Sequence, residues 1–419
     1  MGALMWLGNP IQNLPPDGRL LFLTRFIRLF SYGSLSVVLV FYLTALGLSE
    51  AQTGLLLTLT LLGDTVISLS LTTQADRIGR RRMLIAGAAL MAGAGLAFAS
   101  THNFLFLVAA GTIGVISPSG NEVGPFLPIE QAALSQVVSE RERTNVFAWY
   151  QLAGSLATAA GSLFAGFLTQ GLERAAVPAT SSDRAVIVFY AAMGVLLGLL
   201  FHRLSPAAEV RQDQSHAAGA RALLGIGASR GVVLRLSSLF ALDAFGGGFI
   251  VQSFAAYWFY LRFGVAPATL GGIFFGANVL AGLSALLASR LASRIGLVRT
   301  MVFTHLPSNV LLIAVPLMPN LRLAVFALFL RFSISQMDVP TRQSYTMAIV
   351  HPEERSAAAG ITGVARTTGA ALAPVFAGLL YARPALINLP FFIAGTLKIV
   401  YDLLLYRAFV RLQAPEEVR

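Results

Sequence analysis

Two short basic stretches of this chain are related copies: ADRIGRRRM at Ala75–Met83 and ASRIGLVRTM at Ala292–Met301. Ser293 of the second copy stands 217 residues after Asp76 of the first, in a chain of 419 residues. Each copy lies between two long apolar runs. A polar loop repeated at about half-chain spacing in so apolar a chain predicts two homologous membrane bundles.

The composition is that of a membrane protein. Hydrophobic residues make up 56% of the chain and charged residues 12%, whereas soluble domains are about 45–50% apolar and about 25% charged. The apolar residues form continuous runs, which favour helices over the alternating strands of a barrel. A span needs roughly 20 apolar residues. We therefore predict an all-α integral membrane protein with twelve transmembrane helices in two pseudo-symmetric six-helix bundles.

The charges set the orientation and the domain boundaries that we expect. The net charge is +11, but the arginines cluster in alternate connections, as the positive-inside rule predicts, and this argues against nucleic-acid binding. The same rule places both termini in the cytoplasm. The longest polar stretch lies at the middle of the chain. We expect a first bundle at 1–204, a cytoplasmic linker at 205–233 and a second bundle at 234–419.

Several kinds of chemistry lack their residues in this sequence. The absence of cysteine excludes disulfides and thiol catalysis. Lys398 is the only lysine and no phosphate-binding loop is present, which excludes an ATP-driven pump. The histidines are not clustered as in a catalytic metal site. We therefore expect no enzyme, no cofactor and no metal site.

Charged residues inside the predicted spans are costly, so each one indicates a partner or a functional role. Asp64 lies near the middle of the second span, as a proton carrier or as the structural partner of a basic residue. Glu122 lies in the fourth span among the helix breakers of Ser117–Pro125. Because broken membrane helices line cavities, Glu122 is our first candidate for coupling to protons or substrate.

The remaining charges fall in spans one, seven, eleven and twelve. Asp243 precedes three glycines that predict a bend, and Arg366 is a candidate for binding an anionic substrate group or an internal carboxylate. Arg28 is a further buried cation, whereas its neighbour Arg25 is expected to extend toward the cytoplasm. In span twelve, Lys398 and Asp402 are four residues apart and are expected to pair.

The repeat also relates two residues of opposite charge. The sequence Pro-Ile-Glu-Gln at 128–131 matches Pro-Thr-Arg-Gln at 340–343, which makes Glu130 equivalent to Arg342. These two side chains could meet as an ion pair between the bundles. Asp338, four residues before Arg342, is a local competitor. Either pair would act as a gate or a brace.

The chain resembles the major facilitator superfamily over nearly its whole length. The family signature Gly-x-x-x-Asp-Arg-x-Gly-Arg-Arg-Arg/Lys is complete from Asp76 to Arg82, with Thr72 in place of the leading glycine. The resemblance implies a twelve-helix secondary transporter that works by alternating access. Charge-assisted bonds in this loop would hold the bundles in one state, unless its arginines only orient the helices. The gating residues of the signature are Asp76, Arg77, Gly79, Arg80 and Arg81.

The small residues of span five, Ala157, Gly161, Ala165 and Gly166, resemble part of a pattern of proton-driven efflux antiporters. We expect a monomer that exchanges protons for a small organic molecule. The alternatives are a proton-coupled importer of an anionic metabolite and, further off, a lipid-moving protein or a sensor that does not transport. The dominance of arginine over lysine indicates a GC-rich bacterial genome and hence the bacterial inner membrane.

Overall fold

The computed structural model describes residues 14–138, 140–209, 227, 229–351, 354–410 and 412, which are helical and contain no strand. The first helices are α1 Pro16–Ala45, α2 Glu50–Ile78, α3 Arg80–Ser100, α4 Phe104–Ile113, α5 Phe126–Val137, α6 Glu140–Arg174 and α7 Ala179–Phe201. The later helices are α8 Arg230–Gly248, α9 Gln252–Phe263, α10 Pro267–Ile295, α11 Leu297–Ala314, α12 Leu321–Ser335, α13 Asp338–Ile349, α14 Arg355–Tyr381 and α15 Leu389–Phe409. We call α1–α7 the first half and α8–α15 the second half.

The predicted twelve-span fold is confirmed. Eleven stretches of the described residues are long and apolar enough to cross a membrane. The remaining span, the fourth, is divided into α4 and α5 by residues 114–125, which we call the broken segment. Span seven is interrupted between α8 and α9, and span ten between α12 and α13. The termini, whose cytoplasmic location we predict, and most of the linker lie outside the described residues.

The broken segment follows from its proline and glycine residues. Pro118 and Pro125 lack the N–H that a helix requires. Gly120 and Gly124 have φ angles of +69° and +78°, which a residue with a side chain rarely adopts. The segment is largely buried within the protein. This location satisfies the rule that irregular backbone at membrane depth is tolerated only away from lipid.

The outer surface of the bundles is apolar. Large hydrophobic side chains are exposed on helices of both halves, among them Val66, Leu105, Leu199 and Phe326. Continuous exposed apolar surface of this kind is incompatible with water but suits the hydrocarbon of a bilayer. The protein is therefore a multi-pass membrane protein.

The halves meet backbone to backbone at two symmetric glycine contacts. Gly54 of α2 packs on Gly378 of α14, and Gly166 of α6 packs on Gly271 of α10. A Cβ added at Gly54 would lie 2.4 Å from the carbonyl oxygen of Pro374, and one added at Gly166 would lie 2.5 Å from that of Pro267. Only glycine permits this approach.

Hydrogen bonds between the halves lie on the same side as the glycine contacts. We call this side the remote end, and the side that carries the two basic loops the loop end. Between described residues, every hydrogen bond that joins the halves lies in the part of the spans toward the remote end. They are Gln252 with Ser36 and Ser162, Ser253 with Pro118, Tyr257 with Glu50, Ala268 with Gln170, and Val375 with Thr58. The structure is therefore closed at the remote end.

Candidate functional site

The first half contains four charged side chains in mutual contact. Two atoms of the Arg28 guanidinium lie 2.6 and 2.7 Å from the two carboxylate oxygens of Glu130. Arg25 Nη1 lies 2.5 Å from Glu122 Oε1, and Arg28 Nη2 lies 3.3 Å from the same oxygen. Two arginines and two glutamates balance one another. Their mutual pairing offsets the cost of removing these charges from water.

Glu130 is fully occupied by its partners. The hydroxyl of Thr24 donates a hydrogen bond of 3.2 Å to Glu130, and the Tyr150 hydroxyl donates another. The ring of Phe126 covers its partner Arg28 at 4.7 Å. The Arg28 and Glu130 side chains are both completely buried. This pair therefore connects α1 to α5 as a brace within the first half.

Glu122 is the member of the cluster that is open to its surroundings. Its side chain is 18% exposed, whereas that of Arg28 is fully buried. The broken segment that carries it also touches the second half, because the carbonyl of Pro118 accepts a 3.1 Å hydrogen bond from the backbone N–H of Ser253. Glu122 thus lies in the middle of a span, beside the boundary between the halves.

We expected Arg25 to extend toward the cytoplasmic end of its helix, but it does not. Its side chain is 1% exposed. It donates a 2.9 Å hydrogen bond to the Gln151 side chain and lies 4.3 Å above the ring of Tyr150. Neither Tyr150 nor Gln151 is among the residues predicted from the sequence, because one uncharged polar residue in an apolar span carries little signal.

Asp64 contacts the broken segment and does not pair with a basic residue among the described residues. Its Oδ1 accepts a 2.6 Å hydrogen bond from the backbone N–H of Gly124 and a 3.4 Å hydrogen bond from the Ser68 hydroxyl. Gly124 N–H is one of the backbone groups that the break in span four releases. The carboxylate therefore replaces a helical acceptor.

Asp243 is the centre of the charged cluster in the second half. Its Oδ1 lies 2.6 Å from the ammonium of Lys398, and its Oδ2 lies 3.2 Å from Arg342. The imidazole of His305 approaches Oδ1 at 3.7 Å. All four side chains are at most 10% exposed. This cluster joins α8, α11, α13 and α15.

The expected pair of Lys398 and Asp402 does not form, because each has another partner. Asp402 Oδ1 lies 2.8 Å from His305 Nδ1, and Asp402 Oδ2 accepts a 2.9 Å hydrogen bond from Asn309. His305 thus lies between two carboxylates, those of Asp402 and Asp243. Among the described residues it is the only histidine inside a helix, and this position is the signal by which it could have been found.

Glu130 and Arg342, which we expected could meet across the halves, lie in separate clusters. Glu130 pairs with Arg28 in the first half. Arg342 pairs with Asp243 and, at 3.5 Å, with the local competitor Asp338. The two equivalent positions therefore brace their own halves in this conformation.

One group of side chains has metal-ligand geometry. Ligand atoms of Asp243, His305 and Asp338 all lie within 4.8 Å of one another. Lys398 and Arg342 already contact these carboxylates, however. A metal ion would have to compete with two resident cations, so the residues fit a protein ion-pair network better than a metal site.

Two buried or half-buried arginines of the second half, Arg331 and Arg366, have no acid or hydrogen-bond partner among the described residues, although Arg331 lies 4.9 Å over the ring of Phe332. Arg366 is half-buried in α14 and makes no hydrogen bond or ion pair there. Arg331 of α12 is 9% exposed, and its Nε is buried without an acceptor. Asp243 and Asp338 lie within electrostatic range of both guanidinium groups but are held by other cations.

The basic loop of the first half is fastened to its own half. Arg80 lies 3.0 Å from Asp76, and Glu209 accepts hydrogen bonds of 2.7 and 3.1 Å from the backbone N–H groups of Arg80 and Arg81. Gly79 turns the chain there with a φ of +115°, and Arg77 is exposed. Among the described residues, this loop forms no ion pair or hydrogen bond with the second half.

The chain resembles known transporters in sequence and in fold. Residues 21–374 match the family model of the Major Facilitator Superfamily. An uncharacterized membrane protein of Saccharomyces cerevisiae is 30% identical over 426 residues, which cover 95% of each chain. A bacterial homologue of the human lysosomal transporter Spinster, in an inward-facing and occupied conformation, has a TM-score of 0.72 at 16% identity and covers 97% of this chain and 100% of that one. A D-xylose–proton symporter has a TM-score of 0.70 at 15% identity, with coverages of 96% and 98%.

These similarities agree with the molecule itself. The family match extends over most of the chain, and the two solved structures share its fold. Both similarities are to transporters and not to enzymes. With its two bundles of six spans and its repeated basic loop, the chain belongs to the major facilitator superfamily of secondary transporters.

Proposed function

We propose that the protein is a proton-coupled transporter of a small organic molecule that works by alternating access. The contacts between the halves support this cycle, because they lie at the remote end and depend on backbone approach at glycines. In the opposite state, these contacts separate and the loop end closes. The protein acts as a monomer, with protons, its substrate and lipid as its partners, and it binds no nucleic acid.

Glu122 is the carboxylate that couples transport to protons. The observation that carries this assignment is its partial exposure within a cluster that is otherwise buried. Protonation of Glu122 removes its attraction for Arg25 and leaves the pair of Arg28 and Glu130 intact. The charge of the cluster then changes by one unit beside the boundary of the halves. Asp64 is the alternative carrier, since its carboxylate is buried within span two and has no basic partner among the described residues.

Export is the direction that the efflux-like residues of span five favour, and the bacterial inner membrane is the location that the arginine bias favours. The similar yeast protein shows that such sequences also occur in eukaryotes. Import of an anionic metabolite is the second candidate. It is favoured by Arg366 and Arg331, whose positive charges have no acid partner among the described residues.

The experiment is flux into proteoliposomes under an imposed pH gradient, with a substrate found by a thermal-shift ligand screen. Glu122→Gln should abolish the dependence on the gradient and retain exchange of substrate between the two sides. Glu173→Gln, at the remote end of α6, is the control and should behave like the unmodified protein. Intact proton dependence in Glu122→Gln would refute the assignment. The direction of the pH gradient that drives accumulation of substrate in the proteoliposomes distinguishes export from import.

A further inference from the structure

We propose that Arg366 binds an oxyanion of the transported molecule, a carboxylate or a phosphate. The biological meaning of this site rests on the transport function proposed above, but binding can be measured without transport. Two features of the molecule carry the proposal. They are the register of the internal repeat and one charge that the first half balances and the second half does not.

Two close contacts establish the register between the halves. A Cβ added at Gly33 would lie 2.1 Å from the carbonyl oxygen of Thr158, and one added at Gly248 would lie 2.4 Å from that of Ala370. Gly248 follows Gly33 by 215 residues, and Ala370 follows Thr158 by 212. The second interval is also the one that separates Glu130 from Arg342. The same helix contact therefore occurs in both halves.

In this register, Arg366 occupies the position that Gly154 holds in the first half. A Cβ added at Gly154 would lie 2.7 Å from Nε of Arg25, so the guanidinium of Arg25 fills the space beside that glycine. The position equivalent to Arg25 is Phe240. Each half thus contributes one arginine to this region, from α1 in the first half and from α14 in the second.

The two arginines differ in their partners. Arg25 lies 2.5 Å from Glu122, which stands four residues before α5. Four residues before α13, the second half has the apolar Ile334. The neighbouring carboxylates are already paired: Asp243 with Lys398 and Arg342, Asp338 with Arg342, and Asp402 with His305. The charge that Glu122 supplies in the first half therefore has no counterpart for Arg366 among the described residues.

Arg366 is partly exposed, which leaves part of its side chain free for a ligand to contact. It precedes Gly369 by three residues and Ala370 by four, so it lies on the face of α14 that packs on α8. The helix α14 also packs on α2 of the first half. A half-buried guanidinium within a membrane span is costly without an anion. Its planar fork matches an oxyanion with two parallel hydrogen bonds.

The experiment measures thermal unfolding of the purified protein in detergent with matched ligands at equal ionic strength. The probes are benzoate with benzamide, succinate with succinamide, and inorganic phosphate with chloride. We expect one oxyanion to stabilise the protein while its neutral or monatomic counterpart does not. The response to carboxylates or to phosphate identifies the chemistry. Arg366→Gln should bind that oxyanion about tenfold to hundredfold more weakly, and Arg366→Lys should be intermediate.

Two variants serve as comparators. Arg322→Gln removes an exposed arginine of the same half and should leave the affinity unchanged. Arg331→Gln removes the other buried arginine that lacks an acid partner among the described residues and should weaken binding less than Arg366→Gln. Because Arg366→Gln removes an unpaired charge, its melting temperature without ligand should not fall, and this checks that the variant folds.

Three results would overturn the proposal: no response to any oxyanion, equal stabilisation by the amides, or full affinity in Arg366→Gln. A refutation of the proposed proton coupling would give different results from these three. Glu122→Gln should keep its thermal response to the oxyanion even if its transport no longer depends on the pH gradient. If the unmodified protein shows no thermal response to oxyanions while its transport depends on the pH gradient, the role of Arg366 is refuted and the role of Glu122 is not.

Discussion

The first and second halves contain the same ion pair with its charges exchanged. In the first half, Arg28 of span one pairs with Glu130 of span four. In the second half, Asp243 of span seven pairs with Arg342 of span ten. The register set by the glycine contacts makes these positions equivalent, at intervals of 215 and 212 residues. The repeat therefore keeps the position of a buried ion pair, but which span carries the acid and which the base differs between the halves.

The surroundings of the two braces differ. Glu130 is enclosed by Arg28 and two hydroxyl groups, whereas Asp243 is shared by two cations and approached by His305. Beyond the brace, the first half adds the partly exposed acid Glu122, and the second half adds the unpaired base Arg366. In our proposals, the first half binds the proton and the second half binds the substrate anion.

The largest effect is expected when each brace loses its arginine. Arg28→Gln leaves Glu130 buried without a cation and should lower the free energy of unfolding by about 3–5 kcal/mol. Arg342→Gln should cost less, about 1–3 kcal/mol, because Asp243 keeps Lys398. Unfolding in detergent measures both. Equal losses would show that the neighbours of Asp243 do not compensate, contrary to our comparison.

The two glycine contacts that join the halves should be equally sensitive to an added side chain. Gly54→Ala and Gly166→Ala each place a Cβ against a carbonyl oxygen. They should destabilise the closed remote end by about 1–3 kcal/mol, or about fivefold to hundredfold in population. Because the chain has no cysteine, maleimide labelling of Ser253→Cys can report opening, and its rate should rise. Gly272→Ala, whose added Cβ meets no atom within 4 Å, is the control. A response of only one contact would argue against a symmetric gate.

The smallest effect on stability is expected in the basic loops. Asp76 is 58% exposed, so Asp76→Asn should change the free energy of unfolding by less than about 1 kcal/mol. It should nevertheless slow transport if the loop holds one state of the cycle. Ser293→Ala in the second loop should leave both properties unchanged. Turnover in proteoliposomes measures the difference, and unchanged turnover in Asp76→Asn would remove the gating role.

Much of the fold was predicted from the sequence, but the break in span ten was not. The apolar runs predicted the spans, and the prolines and glycines of the broken segment predicted its position. The glycines after Asp243 predicted the bend in span seven, where α8 ends at Gly248. The break at Gln336 in span ten lies four residues before Pro340, which has no N–H to donate to the Gln336 carbonyl. It coincides with a tertiary contact, since the backbone N–H of Gln336 donates to Ser284 at 3.3 Å.

The sequence by itself determined the membrane class, the two-bundle repeat and the residues that carry charge into the spans. These features are local, because a bilayer requires each span to satisfy its own backbone and makes every internal charge conspicuous. Only the tertiary structure decided the partners. Glu130 contacts Arg28, 102 residues away, and Lys398 contacts Asp243, 155 residues away. Such pairing depends on which helix faces meet, and helical periodicity does not specify that for spans so distant in the chain.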